Sequence, residues 1–186
     1  LVLQQQDAVG CVSFDETVRV NVPIRSKRNH IYSVINSLEA QQPRDKTDMF
    51  AVLRSVAETW PRRGMMVLVS DLLTDTDNLM RGLRLLRQRG HDVLVFHVMD
   101  DDELDFPFKQ WTRFDCLEVA DKKHTVDPTH LRQAYLENLE NYREDFTQGC
   151  HRNRIDLVPM TTDQPYAEAL SYYLALRKRG GRPSRK

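Results

Sequence analysis

The hydrophobic and polar positions of the chain fall into short blocks whose periods predict alternating strands and helices. Residues 8–14 are an apolar run and residues 18–22 alternate with period two, so we expect two strands, the second ending at Pro23. The segments Met65–Ser70 and 92–98 are almost continuously apolar, which is typical of parallel strands covered by helices on both faces. Residues 155–159 predict the last strand.

Apolar residues at helical spacing predict the helices between these strands. Thr47 is assigned as the N-cap of the second helix, which Trp60 and Pro61 end. Gly90 follows the third helix as a C-cap glycine, and Pro128 opens the fourth at its first helical position. The predicted helices cover about residues 31–38, 47–60, 79–90, 128–149 and 165–177.

An insertion at about residues 100–126 interrupts this order. It begins with an acidic run at 100–103, predicted as a solvated loop, and contains two short strand signals at 112–119 and 124–126. Phe106 and Phe108 with Trp111 are either a partner-facing aromatic patch or the packing of the insertion against the sheet. The whole pattern predicts an α/β fold, a mostly parallel sheet between helices with a small β-rich insertion.

The composition fits one soluble globular domain. The chain has 186 residues, of which 40% are hydrophobic and 29% are charged. No apolar run approaches the length of a membrane span. The three cysteines are an odd number without C-x-x-C spacing, which argues against a disulfide framework and a zinc site and favours a reducing, cytoplasmic location.

The charge is balanced overall but unevenly distributed. Lysine plus arginine and aspartate plus glutamate each number 27. Six of the bases lie in the last ten residues, which leaves 21 bases and 27 acids in the rest of the chain. We predict a domain over residues 1–178 and a basic disordered tail over 179–186. The alternative is that this tail binds nucleic acid, in which case deleting 180–186 would abolish a salt-sensitive interaction.

Acids and hydroxyls follow the predicted strands. Because ligands of open α/β sheets bind beyond the carboxyl ends of the strands, Asp15, Asp71 and Asp100 are the acids of interest. Oxygen ligands suit Mg²⁺ or Ca²⁺ better than zinc, although single acids in such loops often only cap helices. The motifs of phosphate loops, dinucleotide sites, nucleophile elbows and zinc proteases are missing, and His97, inside an apolar strand, is predicted to be a core residue.

An ordered set of short motifs resembles the DUF58 family, whose members contain a von Willebrand factor A-like (vWA) domain. The resemblance covers nearly the whole chain and implies a Rossmann-like sheet with a metal-ion-dependent adhesion site at its carboxyl edge. The motifs are QQDAVG at 5–10, FD at 14–15, TD at 47–48, VSDL at 69–72, RGHDV at 89–93, FHV at 96–98, FPF at 106–108, VDP at 126–128, YL at 135–136 and TDQP at 162–165.

The resemblance also implies a set of metal ligands. In such sites a D-x-S-x-S loop, a threonine and an aspartate hold Mg²⁺, and a carboxylate of the partner completes the shell. Asp71 matches the aspartate and Thr47 is nearest to the threonine, with Asp48 as the alternative because Met49 stands where a second threonine is common. Asp15 and Asp100 are the expected partner-binding residues.

The sequence departs from the family pattern because it contains no D-x-S-x-S motif. We expect the motif and the strand before it to precede Leu1, since residues 1–6 read like the tail of a helix. In the family order that strand lies between the strands at 8–14 and 65–70, whose edges would otherwise stay unpaired. The intact protein is therefore the predicted functional unit, and a monomeric 186-residue chain that melts cooperatively would contradict this.

The leading hypothesis is a non-catalytic interaction module that acts beside a MoxR-type AAA+ ATPase in assembling or activating other proteins. It predicts protein partners and no nucleic acid, with membrane association only through the missing N-terminal region, at the cytoplasmic face. The alternative is a Mg²⁺-dependent phosphohydrolase using Asp71 or Asp100, which needs a nucleophile or base that the sequence does not identify. A phosphatase screen with Mg²⁺ separates these hypotheses.

Overall fold

A computed structural model describes residues 2–15, 17–40, 48–116 and 123–179 of the chain. Within these residues, a short 3₁₀ helix at Val2–Gln5 precedes seven strands and six helices. The strands are β1 (Val9–Phe14), β2 (Val18–Arg25), β3 (Met65–Ser70), β4 (Asp92–Met99), β5 (Thr112–Asp115), β6 (Lys123–Val126) and β7 (Asp156–Thr161). The helices are α1 (His30–Glu39), α2 (Met49–Thr59), α3 (Thr76–Gln88), α4 (Asp101–Asp105), α5 (Pro128–Arg152) and α6 (Tyr166–Arg179).

Strands β3, β4 and β7 form a parallel central sheet in that order. In the middle strand β4, Val95 lies opposite Leu68 of β3 on one side and Leu157 of β7 on the other. Most of β4 is buried, as expected for a parallel strand between two layers of helices. The structure therefore confirms the predicted α/β class with a Rossmann-like arrangement.

The two faces of this sheet belong to two apolar clusters. Val93 and Val95 of β4 contribute to the larger cluster, here called the main core, which α2, α3 and α5 complete. Leu94 and Phe96 point to the other face, where Tyr173 of α6 packs against them. Of the helices in the described part of the chain, none is long and apolar enough to span a membrane.

Helices α2 and α3 lie side by side and run in the same direction. The guanidinium of Arg81 in α3 lies 4.3 Å from the ring centre of Phe50, near the start of α2. Arg89, just after α3, donates a 3.1 Å hydrogen bond to the carbonyl of Ala57, near the end of α2. Since α3 follows directly after β3, both helices begin at the edge where the parallel strands end, here called the carboxyl edge.

Strand β3 is less covered than its apolar sequence predicted. Met66 and Leu68 face the main core, but Met65, Val67 and Val69 on the opposite face are 45%, 51% and 61% exposed. The predicted helical cover is therefore incomplete on this face of β3: α6 packs against β4 and β7, and its Arg177 extends to Met65 Sδ at 3.5 Å. Among the described residues, β3 also pairs with β4 alone, so its outer edge is open.

Strands β1 and β2 form a separate antiparallel hairpin. Pro23 does not end β2, contrary to the prediction, and the strand continues to Arg25. Proline is tolerated there because β2 has no second strand partner in the described residues, so the missing N–H falls on an edge strand, beside a register shift between Val9 and Cys11. Helix α1 follows the hairpin and leaves apolar side chains exposed, namely Ile31, Ile35 and Leu38.

The insertion contains a helix that the sequence analysis missed. The acidic run was predicted to be a loop, but Asp100 caps helix α4 and forms a reciprocal capping box with Glu103. Repulsion between consecutive acids is offset here, because acids are favourable in the first turn of a helix. The two predicted short strands are present as the antiparallel pair β5 and β6, and α5 begins at Pro128 as predicted.

Candidate metal centre at the carboxyl edge

The candidate site is the loop that joins β3 to α3, here called the Asp71 loop (residues 70–75). Leu72 has a left-handed backbone with φ of 59°, and its side chain is buried in the main core. The Leu72 N–H donates to Ser70 Oγ at 3.0 Å. Its carbonyl accepts from the Thr74 N–H at 2.7 Å and from the Tyr142 hydroxyl at 2.9 Å. Both backbone polar groups of this residue are therefore satisfied.

A left-handed conformation is unfavourable for leucine, by about 1–2 kcal/mol, because its Cβ approaches the following carbonyl oxygen. Burial of the Leu72 side chain offsets this cost, since a buried leucine contributes about 1.5–3 kcal/mol. The main core and Tyr142 thus fix the backbone at Leu72. As a result Asp71, immediately before it, is held in an exposed position at the carboxyl edge.

One oxygen of the Asp71 carboxylate is hydrogen-bonded within the loop. Oδ1 accepts a 3.2 Å hydrogen bond from the N–H of Leu73, which orients the side chain. Oδ2 accepts no hydrogen bond from the described residues. An exposed carboxylate with one oriented and one available oxygen fits a hard cation such as Mg²⁺, which keeps several waters and binds through one or two protein carboxylates.

His97 lies beneath this loop and is 5% exposed. Its ring packs edge-on against Tyr142 and Phe146, with ring centres 6.3 and 6.5 Å apart. Burial lowers the pKa of His97, and a hydrogen bond with the Asp71 backbone partly opposes that effect. The prediction that His97 is a packed core histidine is confirmed, and its ring supports the backbone of the candidate ligand.

Tyr142 is a residue of the site that the sequence analysis did not identify. Burial is the main cause that raises the pKa of its hydroxyl, with a smaller contribution from the Asp71 charge. The phenol therefore stays protonated and donates to the Leu72 carbonyl. Tyr142 stands at an apolar position of a long helix, so its sequence signal is that of a core residue, and nothing in the sequence indicates a contact across 70 positions.

Asp48 lies at the same edge, where it caps helix α2. It is the N-cap of α2, one residue later than the predicted cap Thr47, and its Oδ1 accepts from the N–H of Ala51 at 3.1 Å. Because α2 and α3 both begin at the carboxyl edge, Asp48 and Asp71 share that edge. Thr47, the other expected ligand, lies outside the described residues.

The protein-family model described as "Protein of unknown function DUF58" matches residues 1–145, well over half of the chain. The chain belongs to the DUF58 family. A search of curated proteins and a search of solved structures each found no match.

The two expected partner-binding acids of this DUF58 domain both accept hydrogen bonds within the domain. Asp15 is buried, forms an ion pair with Arg19 and accepts from the Thr17 N–H at 3.2 Å, so it organises the β1–β2 turn. Asp100 accepts a 2.7 Å hydrogen bond from the Thr162 hydroxyl. That bond, with a second from the Asp102 N–H, lowers the pKa of Asp100.

Asp100 and Asp71 follow neighbouring strands of the DUF58 sheet, whereas Asp15 belongs to the separate hairpin. Within the described ranges, no group of three or more His, Cys, Asp or Glu side chains is arranged to hold a metal ion. The carboxyl edge therefore brings Asp71 and Asp48 to one side of the molecule. A complete coordination shell for an ion bound at Asp71 needs further oxygen ligands.

Proposed function

We propose that this chain is a non-catalytic protein-interaction module of vWA type that acts beside a MoxR-type AAA+ ATPase in assembling or activating other proteins. The observation that carries the proposal is the Asp71 loop, in which a strained, fully hydrogen-bonded Leu72 presents an exposed carboxylate at the carboxyl edge. Backbone strain that the surrounding structure maintains is concentrated at functional sites. The ATPase partner rests on the family resemblance, and the proposed location is the cytoplasm.

The proposed ligand of the module is Mg²⁺. Asp71 would hold it through Oδ2, with Thr47 or Asp48 and a D-x-S-x-S loop supplying further oxygens. When bound, the ion supplies an electrophilic position that accepts a carboxylate of the partner. In this proposal the chain keeps the Asp71 carboxylate oriented. The Leu73 N–H donates to that carboxylate, and Tyr142 holds the Leu72 backbone beside it.

The serine loop and its strand are proposed to fill the open edge of β3. An apolar strand edge without a partner is an aggregation hazard that proteins normally cover. The exposed face of Met65, Val67 and Val69 and the exposed apolar side chains of α1 support the same proposal, because an inserted strand with helical cover would remove both from water. The coding sequence upstream of Leu1 is then expected to encode an apolar strand followed by D-x-S-x-S.

A binding role is favoured over turnover by the groups around Asp71. Among the described residues, the ionisable side chains of His97 and Tyr142 contact its loop, and both are engaged with loop backbone in partly or fully buried positions. Neither offers an exposed nucleophile. A hydrolase would need a nucleophile or base within about 3 Å of the reacting group.

The proposal is tested by measuring the affinity of the full-length protein for the proposed MoxR-type AAA+ ATPase partner, in Mg²⁺ and in EDTA. We expect binding in Mg²⁺ to be at least about tenfold tighter, and Asp71→Asn to remove that difference. Asp77→Asn is the matched control, because Asp77 carries the same charge on the exposed first turn of α3. Equal affinities in Mg²⁺ and EDTA, or an Asp71→Asn variant that binds normally, would overturn the proposal.

A further inference from the structure

A cavity of about 580 Å³ lies between α4, the β5–β6 hairpin and α5. Four aromatic rings line it, Phe106, Phe108, Phe114 and Tyr135. The cavity uses no residue of the Asp71 loop, so the proposed metal centre does not explain it. Its volume is within the range of about 300–1,000 Å³ that is typical of small-molecule sites.

The rings form one connected aromatic wall. Phe106 is at its centre, with ring centres 4.8 Å from Tyr135 and 5.2 Å from Phe108. Phe114 contacts the same group, 5.1 Å from Phe108. Phe106 itself is buried, whereas the other three rings are only half-buried and keep surface open to the cavity.

The position of Phe106 is fixed by its backbone. It ends α4 in a left-handed conformation with φ of 43°, which is unfavourable for an aromatic residue. The guanidinium of Arg132, on α5, donates to the carbonyls of Asp105 at 3.0 Å and Phe106 at 3.3 Å. The aromatic wall is therefore anchored to the long helix and does not depend on ring packing alone.

The charge of the lining is negative. Asp102 and Glu103, both on α4, line the cavity beside the rings; His124 of β6 lines it as well, and no lysine or arginine is among the described lining residues. The Glu103 carboxylate is close enough to Tyr135 to raise the pKa of its hydroxyl, after the larger effect of burial. Aromatic faces and carboxylates both attract positive charge.

We propose that this cavity binds a small organic cation with an apolar body, of the alkylammonium or arylammonium class. The ring faces of Phe108, Phe114 and Tyr135 contact the apolar body and the cationic centre, and Asp102 and Glu103 neutralise its charge. An anion would be repelled by the same two carboxylates. A neutral ligand of equal shape would gain only the apolar contacts, so the site discriminates by charge.

The test is a titration of the full-length protein with phenyltrimethylammonium, its neutral isostere tert-butylbenzene and the anion benzenesulfonate, followed by two-dimensional amide NMR. We expect saturable shifts of α4 and β5 resonances with the cation, binding about tenfold weaker for the neutral isostere and none for the anion. Equal binding of all three probes, or no saturation with the cation, would overturn the assignment.

Variants separate the ring contribution from the charge contribution. The double change Asp102→Asn and Glu103→Gln keeps the side-chain shapes and is expected to weaken cation binding about tenfold without affecting the neutral probe. Tyr135→Leu keeps apolar volume but removes a ring face, and is expected to weaken the cation more than the neutral probe. Asp101→Asn is the matched control, since Asp101 is on the same helix and does not line the cavity.

A cation affinity that survives both variants would contradict the proposal. So would an Asp101→Asn protein that loses binding to the same extent as the double variant, because the effect would then be one of net charge on α4. The test does not involve Mg²⁺ or Asp71, so its outcome is independent of the metal-centre proposal.

Discussion

The left-handed backbone of Leu72 leads to a prediction whose sign is unusual. At most positions glycine is less stable than alanine by about 0.5–1 kcal/mol, because glycine loses more backbone freedom on folding. At a positive φ the order reverses, because alanine has a Cβ that glycine lacks. With φ of 59°, Leu72→Gly is therefore expected to be more stable than Leu72→Ala by about 1 kcal/mol.

The matched control is Leu83, which is also fully buried in the main core but lies inside α3. Both alanine variants lose a buried leucine side chain and are each expected to be destabilised by about 2–5 kcal/mol. At Leu83 glycine should lower the stability by a further 1 kcal/mol or so. The difference between glycine and alanine thus changes sign between two equally buried leucines.

The assay is urea denaturation of the four variants in the full-length protein, followed by far-UV circular dichroism. The comparison of glycine with alanine at one position cancels most of the shared loss of packing, which is why it is sharper than either variant alone. If alanine is the more stable residue at both positions, Leu72 does not have the strained conformation on which the account of the Asp71 loop depends.

Three further predictions follow from contacts elsewhere in the fold. Tyr142→Phe should destabilise the protein by about 1 kcal/mol and accelerate amide exchange at Thr74, whose N–H shares the same carbonyl; unchanged exchange would show that the hydroxyl does not hold the loop. Burial lowers the pKa of His91, so its charged form is disfavoured in the folded state. The melting temperature should therefore fall as the pH drops below about 6.5. His91→Phe should make the melting temperature less dependent on pH in this range, and an unchanged dependence would contradict the prediction. Gly82→Ala should destabilise the protein by about 1–3 kcal/mol, because the new Cβ would lie 2.6 Å from a leucine side chain of α2. Gly64→Ala has open space around the new Cβ and should be close to neutral in the same denaturation assay.

The parts of the fold that the sequence predicted are those with strong local causes. The apolar runs at β3 and β4 are parallel strands, and Pro128 and Gly90 stand at the start of α5 and the end of α3. Each of these features is determined by residues close together in the chain. Asp71 was also found this way, because an acid directly after a buried strand must lie at the carboxyl edge.

The features that the sequence did not predict depend on the tertiary arrangement. Whether Pro23 ends a strand depends on whether the strand has a second neighbour, and the exposure of Val67 depends on which strands α6 covers. Tyr142 supports the Asp71 loop through a hydrogen bond to the Leu72 carbonyl, 70 residues away in the chain. Local periodicity contains no information of this kind.

Calorimetric titration of the full-length protein with Mg²⁺, comparing the wild type with Asp71→Asn and Asp77→Asn, tests whether Asp71 is a metal ligand. If the Asp71 loop presents a metal ligand, the wild type and the Asp77 variant should bind one Mg²⁺ with the same affinity, and the Asp71 variant should lose that binding by about tenfold or more. An unchanged Mg²⁺ affinity in Asp71→Asn would contradict the account.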